Sequence, residues 1–227
     1  MGFVLENIVP WGRSFEEYCG MFALNEQDFQ KNILGIGDGP ASFNAVLTER
    51  GGRIISADPL YAFNGEQIRA RIDAIYDDMI EQVATNSQHL RLAIFGSPED
   101  LGAARMCAMT KFLQDFDNGK NQGRYLSAAL PELPFSENQF DLAVCSHFLF
   151  LYSEQLGLEF HLRSIEELCR VAREVRIFPL LDLSHQTSPH LQGVLASLNQ
   201  AGLRTDIETV DYEFQVGANQ MLRINSP

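Results

Sequence analysis

Apolar and polar residues alternate along this chain in two rhythms, and the rhythms take turns. Ile33-Leu34-Gly35-Ile36 is a short apolar run closed by glycines, which predicts a strand over 32–36. Arg53 to Ala57 is a second β-rich run, ended by Asp58-Pro59. Short strands are expected again at Tyr125–Ser127, at Phe140–Cys145 and over Val175–Leu180. Between them, apolar residues recur at helical spacing. Ile68, Ile72, Ile75, Met79 and Val83 mark a helix from Gly65 to about Gln88, and Leu101, Ala104, Ala108 and Phe112 mark one from Pro98 to Phe116. Asp117 to Asn121 reads as a polar break after it. Further helices are expected over 41–50, 154–172 and 189–201. Residues 14–31 hold one or two short helices, with Ser14 and Glu17 at capping-box spacing. The chain closes on two strands, about 204–214 and 218–225, with Gly217 as turn material between them.

Strands alternating with helices build right-handed βαβ units and a mainly parallel sheet. Two consecutive strands joined by a short turn form an antiparallel pair. The expected fold is therefore α/β and doubly wound, with a C-terminal antiparallel hairpin. One domain over 1–227 is expected, with residues 1–31 as an N-terminal helical cap. Residues 90–122 are long for a helix-to-strand connection and read as an insertion, serving as a lid or a dimer contact; a monomer or a homodimer fits this pattern equally.

Composition narrows the partners. The 227 residues are 45% hydrophobic, enough for a substantial core, and the formal net charge is -13. An acidic surface repels phosphate backbones and anionic lipid, so neither nucleic acid nor membrane is an expected partner. Cys19, Cys107, Cys145 and Cys169 form no C-x-x-C pair, which points to reduced thiols and no metal. No basic leader and no run of ~20 apolar residues is present, which predicts a cytoplasmic protein.

Candidate chemistry concentrates where the first predicted strand ends, in Ile33-Leu34-Gly35-Ile36-Gly37-Asp38-Gly39-Pro40. Ligands of open α/β sheets sit beyond the carboxyl ends of the strands. The glycines let the backbone approach a ligand. A dinucleotide turn needs a sixth-position glycine, and Pro40 or Ser42 stands there instead. A P-loop needs a lysine that does not follow. Asp58 ends the second strand, twenty-one positions beyond Gly37, where an acid accepts hydrogen bonds from the ribose of an adenosine-type ligand.

ILGIGDGPASF, then ISADPLY, then LPELPFSENQFDLAVCSHFLFLY resemble, in this order and spacing, successive motifs of the class I S-adenosylmethionine-dependent methyltransferases. The resemblance covers roughly residues 30–225, and it is to bacterial proteins assigned to that family without a substrate. It implies a Rossmann-like seven-stranded sheet. It also implies S-adenosylmethionine as cofactor and S-adenosylhomocysteine as product. Gly35, Gly37, Asp38, Gly39, Asp58, Pro59, Ala129, Leu130 and Ser146 would then lie at the cofactor. Arg13, Tyr18 and Tyr152 would lie on the substrate side. His147 is the candidate general base, its residue type titrating in the useful range. Ser146-His147-Phe148-Leu149 replaces the motif of enzymes that methylate nucleic-acid bases, so a small molecule is the expected acceptor.

Two positions depart from the family. The acid that usually ends the first strand falls on Gly35, and one that usually precedes LPF falls on about Ala129. Asp38 is a carboxylate near enough in sequence to replace the first. The departures leave two functional readings: methyl transfer to a small molecule, or a degenerate protein that binds an adenosyl ligand without transferring a methyl group.

Overall fold

The computed structural model describes residues 10–225. Residues 1–9 of the expected N-terminal cap lie outside that range.

Seven strands form one sheet: β1 (Asn32–Ile36), β2 (Arg53–Ala57), β3 (Tyr125–Leu126), β4 (Phe140–Ser146), β5 (Ala172–Phe178), β6 (Arg204–Thr209) and β7 (Gln220–Asn225). The order across the sheet is β3-β2-β1-β4-β5-β7-β6. The first five are parallel, and β7 runs antiparallel to both β5 and β6. Buried on both faces, β1 and β4 read as near-continuous apolar runs, as central parallel strands do.

Six α-helices are described: α1 (Phe15–Met21), α2 (Phe43–Glu49), α3 (Gly65–Thr85), α4 (Pro98–Asn121), α5 (Leu158–Val171) and α6 (Leu191–Gln200). Pleat alternation splits the core between them. Leu34, Ile36, Ala143 and Val175 face one way, toward Ile165 and Leu168 of α5 and Val194 of α6. Ile33, Ile54, Leu142 and Val144 face the other, toward Phe15 and Tyr18 of α1 and Phe43 of α2. The capping box at α1 forms as its spacing predicts: Glu17 N–H donates to Ser14 Oγ, and Ser14 N–H to the Glu17 carboxylate.

Four details differ from the sequence pattern. The helix through Phe112 does not stop at Asp117. It runs on to Asn121, because Phe116 and Gly119 are buried against Tyr125 and the Lys120 ammonium donates to the carbonyls of Tyr61 and Phe63. Helix α5 begins only after Gly157, a 3-10 turn at Phe150–Tyr152 standing before it, and β5 starts at Ala172, directly where α5 ends. The last two strands are not joined by a tight turn: β6 ends at Thr209, and residues 210–219 form a long loop before β7. Lastly, residues 90–122 do not stand apart from the helix before them. Helices α3 and α4 pack on each other as a hairpin, and the segment between them is fastened to the 210–219 loop. Arg91 N–H donates to Phe214 O at 2.7 Å, and Val216 N–H to His89 O at 2.9 Å.

A cavity at the carboxyl edge of the sheet

Strand register assembles the site. Ile36 pairs with Ala57 on one side and Cys145 on the other, and Ala57 pairs with Leu126. The residues that follow these four strands therefore leave the sheet side by side. They are the turn at 37–40, Asp58, the segment 128–130 and Ser146-His147. The order of strands switches between β1 and β4, the place where open sheets hold ligands. A cavity of about 410 Å³ opens there.

Of the sequence-predicted residues, Arg13, Tyr18, Gly37, Asp38, Gly39, Asp58, Pro59, Ala129, Leu130, Ser146, His147 and Tyr152 line this cavity. Gly35 does not. A Cβ built on Gly35 would lie 1.9 Å from Asp38 Oδ2. The Asp38 carboxylate thus occupies the space into which a side chain at 35 would project. Gly35 is a glycine so that the acid three residues later can fold back over it. At Ala129 no such replacement occurs: its neighbour Glu132 is drawn outward to Arg163.

Asp38 is held hard. Tyr18 Oη donates to Oδ1 at 2.8 Å, and Ser56 Oγ donates to Oδ2 at 2.6 Å. Tyr18 is itself stacked on Phe43, with ring centroids 4.5 Å apart. Burial pushes the Asp38 carboxyl up to about 6, the two donated bonds hold it down, and Asp58 adds a further upward push. Asp58 is raised by burial too, against the pull of two backbone bonds. Its Oδ2 accepts from Gly39 N–H at 2.9 Å and its Oδ1 from Leu60 N–H at 2.8 Å. Asp58 thereby fixes the glycine turn while each oxygen keeps a lone pair free for a ligand. Gly37 and Gly39 take the positive φ the turn requires.

His147 directly follows β4 with φ 51°, a strained setting for a side-chain-bearing residue. Its backbone N–H donates to Phe178 O at 2.7 Å, which holds the conformation. Its Nδ1 is 2.9 Å from Ser146 Oγ. In the tautomer that carries its proton on Nδ1, the ring donates to Ser146 Oγ while that hydroxyl turns toward the Met21 sulfur, and Nε2 is left to accept. Burial first, then the charges of Arg13 and Arg105, drive the imidazole well below its ordinary range. It is neutral at neutral pH.

Several wall residues gave no signal in the sequence. Phe63, Met79, Val83 and Leu90 come from the α3 side of the insertion, and Phe214 and Gln215 from the 210–219 loop. The network that secures this wall was equally hidden. Arg105 of α4 is fully buried and ion-paired with Glu17 of α1, which also accepts from Tyr212 Oη at 2.8 Å. Lys120 and Arg124 also tie neighbouring elements together. Arg124 grips Asp115 through two bonds of 2.7 and 2.6 Å and reaches Asn44. His161, by contrast, is the core histidine its helical position suggests, bonded to Gly157 O and Leu149 O.

No protein-family model matches the chain. The sequence is 31% identical over 221 residues to the uncharacterised protein MJ0045 of Methanocaldococcus jannaschii, covering 97% of each. The chain belongs to the family of that archaeal protein. The bacterial kinship expected from the motifs is thus replaced by an archaeal one. Among solved structures, the mitomycin 7-O-methyltransferase matches at TM-score 0.51 with 12% identity, over 94% of this chain and 54% of that one. An S-adenosylmethionine-dependent methyltransferase from Aquifex aeolicus matches at TM-score 0.45 with 15% identity, over 92% and 87%. The fold is that of the class I methyltransferases, as the motifs imply, with its sheet order and terminal antiparallel pair.

Proposed function

We propose that the protein binds S-adenosylmethionine in this cavity and transfers its methyl group to a small-molecule acceptor. One observation carries the reading: the Asp38 carboxylate stands in the side-chain space of Gly35, so that the acid the family motif requires is supplied from another position. The degenerate alternative rests on the acids missing at Gly35 and at about Ala129; Asp38 answers the first, while the second has no such replacement. Asp58 would accept from the ribose hydroxyls, and the main chain at 37–39 would approach the amino-acid end, with Asp38 facing its ammonium. Ala129 and Leu130 would flank the adenine.

When bound, the cofactor supplies a methyl group on a sulfonium, which an acceptor lone pair attacks while the sulfur keeps the bonding pair. The chain's own part is to position and to exclude water. Leu130, Phe148, Leu151 and Phe214 give the cavity a dry wall. Orientation of two reactants in such a site supplies much of a rate enhancement without strong acid–base help. His147 Nε2 would take the proton released by the acceptor; being neutral, it needs no prior deprotonation. A cavity of about 410 Å³ is at the lower end of ligand pockets, ~300–1,000 Å³, so the acceptor beside an adenosyl group is small.

Incubation with methyl-labelled S-adenosylmethionine and a library of small metabolites tests the reading. Label appearing in an acceptor supports it. S-adenosylhomocysteine binding with no transfer to any acceptor would favour the degenerate alternative.

A further inference from the structure

Arg13 is the one cation lining the cavity beside His147 among the described residues. The Arg13 Nη1 donates to Trp11 O at 3.3 Å, and its Nε, shut off from solvent, has no hydrogen-bond partner among the described residues. Arg105 stands behind it with its guanidinium carbon 5.4 Å and 5.6 Å from the ring centroids of Phe95 and Phe214. Among the described residues, one carboxylate lies between the two cations, Glu17, and it is already committed. It accepts from Ser14 N–H, from Arg105 and from Tyr212 Oη. Burial and the neighbouring Arg105 both weaken the hold of Arg13 on its proton. A guanidinium left short of a counter-charge in an apolar wall is costly to the fold and is poised to take an anion. Its planar donor set matches a carboxylate.

We infer that the acceptor is a small apolar acid whose carboxylate is bound by Arg13 and whose body lies against Phe148, Leu151 and Phe214. This rests on the methyl-transfer reading of the same cavity. A carboxylate could also reach Arg13 from the amino-acid end of the cofactor. Arg13 adjoins both ends, its carbonyl accepting from Ser42 N–H at 3.0 Å beside the glycine turn and its charge lowering His147, so the titrations below separate the two sources. A monoanion balances the local count of two guanidiniums and one carboxylate. Binding it would also return His147 toward its ordinary range, so that the base gains strength as the acceptor arrives.

The test uses benzoate and its uncharged analogue benzamide, titrated calorimetrically into protein saturated with S-adenosylhomocysteine. The wild type should bind benzoate at least ~10-fold more tightly than benzamide, as a charge-assisted pair requires. Arg13→Met should erase that preference, and Arg13→Lys should keep part of it. Removing a half-buried guanidinium that is short of partners should leave Arg13→Met at least as heat-stable as the wild type. Equal binding of the two probes, or a preference that survives Arg13→Met, overturns the inference. So does an Arg13→Met variant that loses S-adenosylhomocysteine by ~10-fold yet binds 5′-methylthioadenosine normally, since that assigns Arg13 to the cofactor's carboxylate. If the wild type does not bind S-adenosylhomocysteine, the methyl-transfer reading fails, and the benzoate–benzamide comparison on unloaded protein still judges Arg13.

Discussion

Gly35→Ala adds one methyl group and should behave like the loss of a carboxylate. Gly35 lies in β1 without a positive φ, so alanine brings no backbone strain. The cost is steric. The new Cβ would stand 1.9 Å from Asp38 Oδ2 and 2.6 Å from Asp38 Cγ, and the carboxylate must leave. It then gives up its bonds from Tyr18 and Ser56. Each is a hydrogen bond to a charged group, worth ~1.5–3 kcal/mol, so the lower bound for both is about 3 kcal/mol. Asp38→Ala should cost a similar amount. With Asp38 already removed, Gly35→Ala should cost much less, since the three atoms nearest the new Cβ are gone. The double-mutant cycle therefore predicts a coupling of about 3 kcal/mol, far beyond the ~0.5 kcal/mol scatter of independent sites. Urea unfolding followed by circular dichroism measures it, as a midpoint drop of about 1–2 M in either single variant. Additive losses, or a Gly35→Ala variant within ~1 kcal/mol of wild type, would refute the relocated acid.

Other expectations follow from the same geometry. Asp38 titrates at about 6 in the folded protein against 3.8 ordinarily, so the native state keeps a proton that the unfolded chain has lost. Stability should fall as pH rises from about 4 to 6, by up to ~3 kcal/mol, and Asp38→Asn should flatten that slope in urea titrations at several pH values. Affinity for S-adenosylhomocysteine should rise through pH 6 as Asp38 ionises, whereas 5′-methylthioadenosine, which has no ammonium, should show no such rise in calorimetry. His147 is shifted the other way, below 6.5, so it destabilises the fold only as pH drops beneath that value; His147→Gln should lessen the acid-side loss and reduce turnover. Asp58→Asn should weaken S-adenosylhomocysteine by ~10–100-fold, through ribose bonds worth ~1.5–3 kcal/mol. Phe43→Ala should cost ~3–5 kcal/mol in unfolding experiments, because Phe43 is fully buried and carries the stacked Tyr18.

Strand ends and the glycine turn were legible because local chemistry sets them. An apolar run closed by glycines fixes β1, and an acid before proline fixes the end of β2. Residues 210–214, expected to continue the sixth strand, lie in the 210–219 loop for an equally physical reason. Val210, Tyr212 and Phe214 alternate with Asp211 and Glu213, which is the strand rhythm. The alternate apolar side chains are buried, but against Phe178, α1 and the insertion rather than in a continuing ladder. Periodicity reports burial on one side and does not say what covers it. The polar run at 117–121 misled in the opposite sense, since contacts with Tyr125 and the carbonyls near Tyr61 extend α4 through it. The relation of Gly35 to Asp38 was visible only as a missing acid, because whether a side chain folds back over the strand end is a matter of three-dimensional space. Likewise, Arg105 and Glu17 lie far apart in sequence, and no spacing rule joins them.

Every role assigned to these residues requires the cavity to take an adenosyl ligand. Calorimetric titration of S-adenosylhomocysteine into the wild-type protein at neutral pH tests this most directly, with Asp38→Asn and Asp58→Asn alongside. The prediction is saturable binding at one site per chain, weakened in both variants. Absence of binding to the wild type, or binding that neither substitution disturbs, would contradict it.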